Sequence, residues 1–196
     1  MEHEQGVVDA ILVEHLAVAA ATRATLRPAI AELARHICEG LDAGGRLIVF
    51  GNGGSAADAQ HFAAELTGRF RRARPALPAI ALTANTSPLT ASANDFSFDE
   101  VFERQVQACC ATADVVVGIS TSGGAVSVAR GLLAAREQGA RTWAMTGAAA
   151  DSRVAQAAEF RLCVPSEVTA RVQEMHITVI HAVSELIDAH AAGERA

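Results

Sequence analysis

The stretch RLIVFGNGGSAADAQHFAAELTGRF, residues 46–70, decides the fold. After a single arginine it opens with a short apolar run, Arg46–Phe50. It then crosses a glycine-rich turn, Gly51-Asn52-Gly53-Gly54-Ser55, and continues as a helical pattern over Ala56–Phe70. A strand whose apolar residues are continuous instead of alternating is buried on both faces, as in a parallel sheet covered by helices. The same unit recurs along the chain. Further strands are predicted at Ala79–Leu82, Val115–Ile119, Thr142–Met145 and Phe160–Val164, and further helices at Phe98–Cys110, Val126–Gln138 and Val168–Ala192. Strand–helix alternation of this kind implies an α/β fold, a doubly wound parallel sheet flanked by helices with right-handed crossovers.

Two helical patterns precede that core. Ile11, Leu12, Leu16 and Val18 repeat at helical spacing, as do Ile30, Leu33, Ile37 and Leu41, and Gly44-Gly45 ends the second. The 196 residues thus read as one domain, with an N-terminal helical segment over 1–43 and an α/β core over 44–196. Apolar residues make up 51% of the chain but aromatics only 4%, and the large alanine share suits closely packed helices. A net charge of −6 argues against a nucleic-acid partner. The basic run Arg69, Arg71, Arg72 and Arg74 is expected at a solvated helix end, where cations complement the helix dipole. No apolar run is long enough to cross a membrane. The four cysteines, Cys38, Cys109, Cys110 and Cys163, form no C-x-x-C pair and read as small buried hydrophobes in a reducing compartment, so a cytoplasmic location is expected.

In doubly wound sheets, ligands bind beyond the carboxyl ends of the strands. Two of those ends carry suggestive turns. At Gly51–Ser55, glycines permit close backbone approach, and the N–H groups of the following helix face the turn. Ser55 can also be a plain helix cap, with Asp58 three positions on completing a capping-box-like arrangement. At Ser120-Thr121-Ser122-Gly123-Gly124, three hydroxyls and two glycines precede another helix and could surround a phosphate, although such residues also make ordinary turns. Neither turn is a nucleotide fingerprint, and no Walker lysine is present. Two hydroxyl-rich turns on one sheet edge favour a small phosphate ester.

Acid, base and metal candidates lie on two helices. His61 and Glu65, at i and i+4, share a helix face and could ligate a divalent ion, or Glu65 could act as a general base; a surface ion pair is the plainer alternative. The last helix carries Arg171-Val172-Gln173-Glu174-Met175-His176 and then His181. Gln173 and His181 differ by about 80° around a helix axis, and Glu174 and His181 by about 20°, so periodicity nominates Glu174 as His181's companion. His176 falls on another face and is expected to pack between helices.

The segments Gly51–Glu65 (GNGGSAADAQHFAAE), Asn94-Asp95, Gly118–Gly123 (GISTSG) and Gln173–His181 (QEMHITVIH) together resemble the phosphoheptose isomerases of the sugar-isomerase (SIS) fold, in order and spacing, from about Gly44 to Asp188. The resemblance implies interconversion of sedoheptulose 7-phosphate and D-glycero-D-manno-heptose 7-phosphate through an enediol. It implies that Ser55, Ser120, Thr121 and Ser122 hold the phosphate, and that Asn52, Gly53, Gly54, Asn94, Asp95, Gln173 and Arg69 line or approach the sugar. It further implies a zinc ion among His61, Glu65, Gln173 and His181, with Glu65 and His181 as the catalytic pair, and a homotetramer with sites between subunits. Here the resemblance names Gln173 where spacing favours Glu174.

Two departures from the family pattern stand out. Ala125 replaces a hydroxyl residue of the second turn, and Ala170 stands where some members have an acid. They keep open an isomerase for another sugar phosphate. A different class of alternative is a non-catalytic SIS protein that associates with the replication initiator; retention of Glu65 and His181 favours catalysis.

Overall fold

Five apolar runs pair into one parallel sheet in the computed structural model, which describes residues 1–193. The strands are β1 (Leu47–Gly51), β2 (Ala79–Ala81), β3 (Val115–Ser120), β4 (Arg141–Thr146) and β5 (Phe160–Cys163), in the order β2-β1-β3-β4-β5. Registers such as Leu47 opposite Val115 and Val117 opposite Trp143 keep the central strands buried along their length. The chain moves outward from β1 to β2, then returns to build β3, β4 and β5 on β1's other side. The crossovers therefore diverge between β1 and β3, the switch point where such sheets open a crevice at their carboxyl ends.

Among the described residues, seven α-helices cover the sheet: α1 (Glu2–Asp42), α2 (Gly54–Thr67), α3 (Thr86–Asp95), α4 (Glu103–Cys109), α5 (Val126–Glu137), α6 (Arg153–Ala157) and α7 (Thr169–Ala191). Parts of α1, α2 and α7 pack on one face, around Leu33, Ile37, Phe62, Leu66, Val179 and Val183. Elements α4, α5 and α6 pack on the other, around Phe50, Phe102, Val128 and Leu132. Trp143 lies fully buried on the first face, and its indole N–H donates to His36 Nδ1 at 3.1 Å.

The sheet follows the expectation; two helical expectations are corrected, and two helices carried no expectation. The N-terminal patterns belong to one 41-residue helix that runs through Pro28. Proline removes one helical hydrogen bond at a cost of about 3 kcal/mol, but the alanine-rich stretch between the patterns favours helix, and Leu26, Ala29 and Ile30 continue the packing on the core. The segment Phe98–Cys110 is not one helix: a 3₁₀ turn, Phe98–Glu100, and α4 are separated by the buried Val101 and Phe102. Helix α3 was not anticipated because its sequence, TSPLTASAND, is polar and poor in helix formers. The Asn85 side chain caps it by accepting from Ser87 N–H, and Pro88 falls in the first turn, where a missing N–H costs little. Short α6 also lacked a periodic signal. Among the described residues, no helix is long and apolar enough to cross a membrane.

Candidate active site

The two turns flank the β1/β3 switch point. Helix α2 begins two residues earlier than the Ser55 cap predicts: Gly53, at φ 57°, is the cap residue, and Ser55 is buried inside the first turn without a side-chain cap bond. Gly54 is required for a different reason. A Cβ there would sit 2.2 Å from the Gln173 Nε2, so the Gln173 amide of α7 lies directly on this backbone. In the second turn Gly123 has φ 69° and packs against Ser152, while Gly147 N–H donates to the Thr121 carbonyl at 2.9 Å. Asn52 Nδ2 donates to Ser127 Oγ at 3.0 Å and ties the first turn to the start of α5. Between them lies a cleft of about 190 Å³ lined by Asn52, Ser55, Ser120, Thr121, Ser122 and Ala125. Ala125 is the cap residue of α5 and provides no side-chain cap, which leaves the first N–H groups of that helix for a ligand.

Further along α2, the helix meets α7. His61 Nε2–H donates to Glu65 Oε1 at 2.7 Å, and His181 Nε2 approaches His61 Nε2 to 3.5 Å. One nitrogen from each imidazole and one carboxylate oxygen lie within 4.8 Å of one another. This set of nitrogen and oxygen donors, from two helices and partly open to solvent, fits a divalent ion such as zinc. His181 also stacks on Phe70, with ring centroids 5.5 Å apart.

A groove of about 410 Å³ lined by Ala57, Asp58, His61, Ala170, Gln173, Glu174 and Ile177 adjoins this cluster. Gln173 therefore borders the same groove as His61, and its amide also reaches Asp58. Burial pushes the Asp58 carboxyl upward, opposed by the Gln173 amide and the charge of His61. Asp58 is thus not the half of a capping box that the sequence suggested: it is buried, and its Oδ2 has no partner among the described residues. Glu174, favoured by periodicity, turns towards α1 instead. His15 Nδ1–H donates to it at 2.7 Å and Arg171 also bonds it; burial opposes ionisation, but these partners hold its carboxyl below the usual range. His176 is fully buried and donates from Nε2 to the Thr146 carbonyl at 3.2 Å, the packing role expected of it.

Three anticipated residues lie outside both clefts. Asn94 and Asp95 are exposed at the end of α3 and bonded to each other, and Arg69 is exposed beyond α2. The basic run that begins there is solvated only in part: Arg69 and Arg71 are exposed, but the Arg74 side chain is buried against Asp188 of α7. A further cavity of about 400 Å³ lies at the opposite end of the strands. Its arginine and two of its acids are already paired, Arg141 with Glu39 and Asp114 with Arg46.

The chain as a whole is similar to known proteins. Residues 13–147 match the SIS domain family. The phosphoheptose isomerase of Citrifermentans bemidjiense is 50% identical over 181 residues, covering 92% of this chain and 94% of that protein. The chain belongs to the phosphoheptose isomerase family. The solved phosphoheptose isomerase from Neisseria gonorrhoeae superposes with a TM-score of 0.89 at 40% identity, over 94% of this chain and 98% of that one. The one from Francisella tularensis superposes at 0.90 and 31% identity, with the same coverage. Against that family frame, Asp58, Phe70 and Ser127 are the site neighbours that sequence reading passed over. Asp58 alone carried a signal, an acid three residues before His61 on the helix that bears it.

Proposed function

We propose that the protein is a sugar-phosphate isomerase that interconverts sedoheptulose 7-phosphate and D-glycero-D-manno-heptose 7-phosphate. The observation that carries this reading is the meeting of Glu65 with His61 and His181, across more than a hundred residues of sequence, on the helix whose first turn forms the hydroxyl-lined cleft. Six residues of helix separate Ser55 from His61, about 9 Å of rise, a separation suited to a ligand with an anion at one end and a reactive carbonyl towards the other.

The phosphate would lie in the cleft, held by Ser55, Ser120, Thr121 and Ser122 together with N–H groups of α2 and α5. It carries no reacting atom, so its binding serves to orient the sugar chain. The chain would follow the groove past Asn52, Gly53, Gly54 and Gln173. Glu65 then removes a proton from C1 of the ketose to leave an enediol, and protonation at C2 yields the aldose. His181, on the opposite helix, moves the proton between the two oxygens. Carboxylate and imidazole are common general acid–base groups for steps of this kind.

His61, Glu65 and His181 are the residues that would hold zinc, with Gln173 as a fourth donor from the same groove. Such an ion, when bound, supplies Lewis acidity towards the sugar oxygens. The exposed positions of Arg69, Asn94 and Asp95 suit a site completed by a second subunit. The exposed apolar residues Val8, Leu12 and Leu16 on the free half of α1 suit a homotetramer. Four free cysteines support a cytoplasmic place of action.

The test is to follow sedoheptulose 7-phosphate by NMR in D2O with the purified protein, with and without zinc, alongside Glu65→Gln. Aldose formation with deuterium entering at the reacting carbon, lost in the variant, is the expected result. Absence of turnover with every heptulose, hexulose and pentulose phosphate tried would overturn the isomerase reading, and capture of the replication initiator would then support the regulator. Preference for a shorter ketose would keep the reaction and replace the substrate. Light scattering that gives a monomer would remove the tetramer.

A further inference from the structure

Glu65 sits in the last turn of α2 and His181 midway along α7, and neither helix by itself sets the distance between them. A cluster of buried groups beside them does. The Arg74 side chain, 2% exposed, donates from Nη2 to the Glu65 carbonyl at 2.7 Å and from Nη1 to the Leu66 carbonyl at 2.9 Å. It thereby satisfies the Glu65 carbonyl at the end of α2, and shares the Leu66 carbonyl with the Leu77 N–H. Its Nε donates to Asp188 Oδ1 at 2.6 Å, and the Asp188 side chain is completely buried. Asp188 follows His181 by seven residues on α7, so the two project about 20° apart around the axis. One guanidinium therefore joins the backbone of Glu65 to the face of α7 that carries His181.

The same carboxylate holds the segment that follows α2. Asp188 Oδ2 accepts the Arg71 and Arg72 N–H groups at 2.8 and 2.9 Å, and Arg71 reaches Glu185 one turn earlier on α7. Pinned at those points, the segment lays Phe70 over His181, with rings 5.5 Å apart and 26° from parallel, while His61 meets the other imidazole edge-on at 5.1 Å. His181 is thus fixed in orientation by one ring and in position by the helix beneath it.

A buried ion pair is a poor device for stability alone, since apolar residues of the same volume often serve as well or better. What this pair does that apolar packing could not is to direct five donor groups to named carbonyl and carboxylate oxygens at once. We propose that the Arg74–Asp188 pair, together with Phe70, positions the catalytic groups: it sets the separation of Glu65 from His181 and the plane of the His181 ring. None of the three touches the substrate; they act through the two residues that do. The proposal rests on the isomerase reading above.

The experiment compares Phe70→Leu, Phe70→Tyr and Arg74→Lys with the full-length parent. Leucine keeps the apolar volume without a stacking ring, tyrosine restores the ring, and lysine keeps the charge opposite Asp188 while losing the guanidinium fork. Phe70→Leu and Arg74→Lys are expected to lower kcat by about 10- to 100-fold, the scale of a misplacement near 1 Å, with KM for the sugar phosphate unchanged, and Phe70→Tyr should recover most of the loss. Independently of turnover, the His181 ring-proton resonances, assigned by their disappearance in His181→Gln, should move downfield in Phe70→Leu while those of His176 stay in place. Unchanged His181 resonances, unchanged kcat, or a loss that appears in KM alone would overturn the positioning role. An inactive parent would overturn the isomerase reading instead, so the two failures are distinguishable.

Discussion

The cleft at the β1/β3 switch point and the seam between α2 and α7 are built in opposite ways. The cleft is made of contiguous residues: two short turns supply backbone N–H groups, hydroxyls and glycines, and a bond from Asn52 to Ser127 ties the first turn to the start of α5. The seam is made of side chains from residues 61, 65, 70, 74, 181 and 188, brought together by the crossing of α2 and α7 and by the segment that follows α2. A turn can hold an anion with geometry written into a few successive residues. Abstracting a carbon-bound proton requires groups aimed from opposite sides, and no contiguous segment supplies those. The contrast predicts that changes at the seam act on kcat and changes at the cleft act on KM.

The largest expected effect tests that division at the seam. Glu65→Gln keeps the shape and the neighbour of His61 but cannot accept a proton, so kcat should fall by about 100- to 10,000-fold with KM little altered in steady-state assays. A loss confined to KM would place Glu65 with the binding groups and erase the contrast.

A smaller effect separates His176 from His181 on α7. His176 is packed beneath the sheet edge, and burial pushes its imidazole down from 6.5 to about 4. Between those values the unfolded chain takes up a proton that the folded chain refuses. Stability contributed by this group is therefore complete above about pH 6.5 and falls as pH drops towards 4, by about 2–3 kcal/mol over the window. Denaturant titrations at pH 7, 5.5 and 4.5 should show the decline. His176→Gln, which retains a donor for the Thr146 carbonyl, should flatten it. A flat parent profile would place His176 in a wetter environment than its packing indicates.

At the cleft, Ser55→Ala and Ser120→Ala should each raise KM roughly tenfold, the loss of one hydroxyl bond to a charged group, and leave kcat near the parent's. A matching fall in kcat would show the phosphate end and the seam to be coupled.

The same contrast explains what was legible in the sequence. Apolar runs located all five strands to within a residue or so, because continuous burial leaves a continuous pattern: Val115–Ile119 was expected where β3 spans Val115–Ser120. The turns and the His61–Glu65 pair were legible because their partners are at most four residues away. The α7 companion was not. Spacing pointed to Glu174, whose carboxylate the structure commits to His15 of α1 and to Arg171. Arg74 was equally opaque. A run of arginines reads as a solvated surface until a buried acid 114 positions later is found opposite it. Helix α3 escaped notice because its stability comes from a cap and from neighbours, not from an apolar stripe.

Ala125 offers the finest division of the cleft. Its missing hydroxyl could be read as a lost phosphate contact, yet it occupies the cap position of α5, where no side chain engages the free N–H groups. A serine there would compete for those same N–H groups by capping the helix, a gain of about 1 kcal/mol for the free protein, while withdrawing donors from the anion. Ala125→Ser should therefore raise the thermal midpoint of the free protein by a few degrees, and saturating sugar phosphate should shrink that gain, with KM moving by no more than about threefold. If the serine instead lowered KM about tenfold and added nothing to the free protein's midpoint, its hydroxyl would be reaching the phosphate. The anion site would then be governed by side-chain hydroxyls more than by the backbone of the two helix starts.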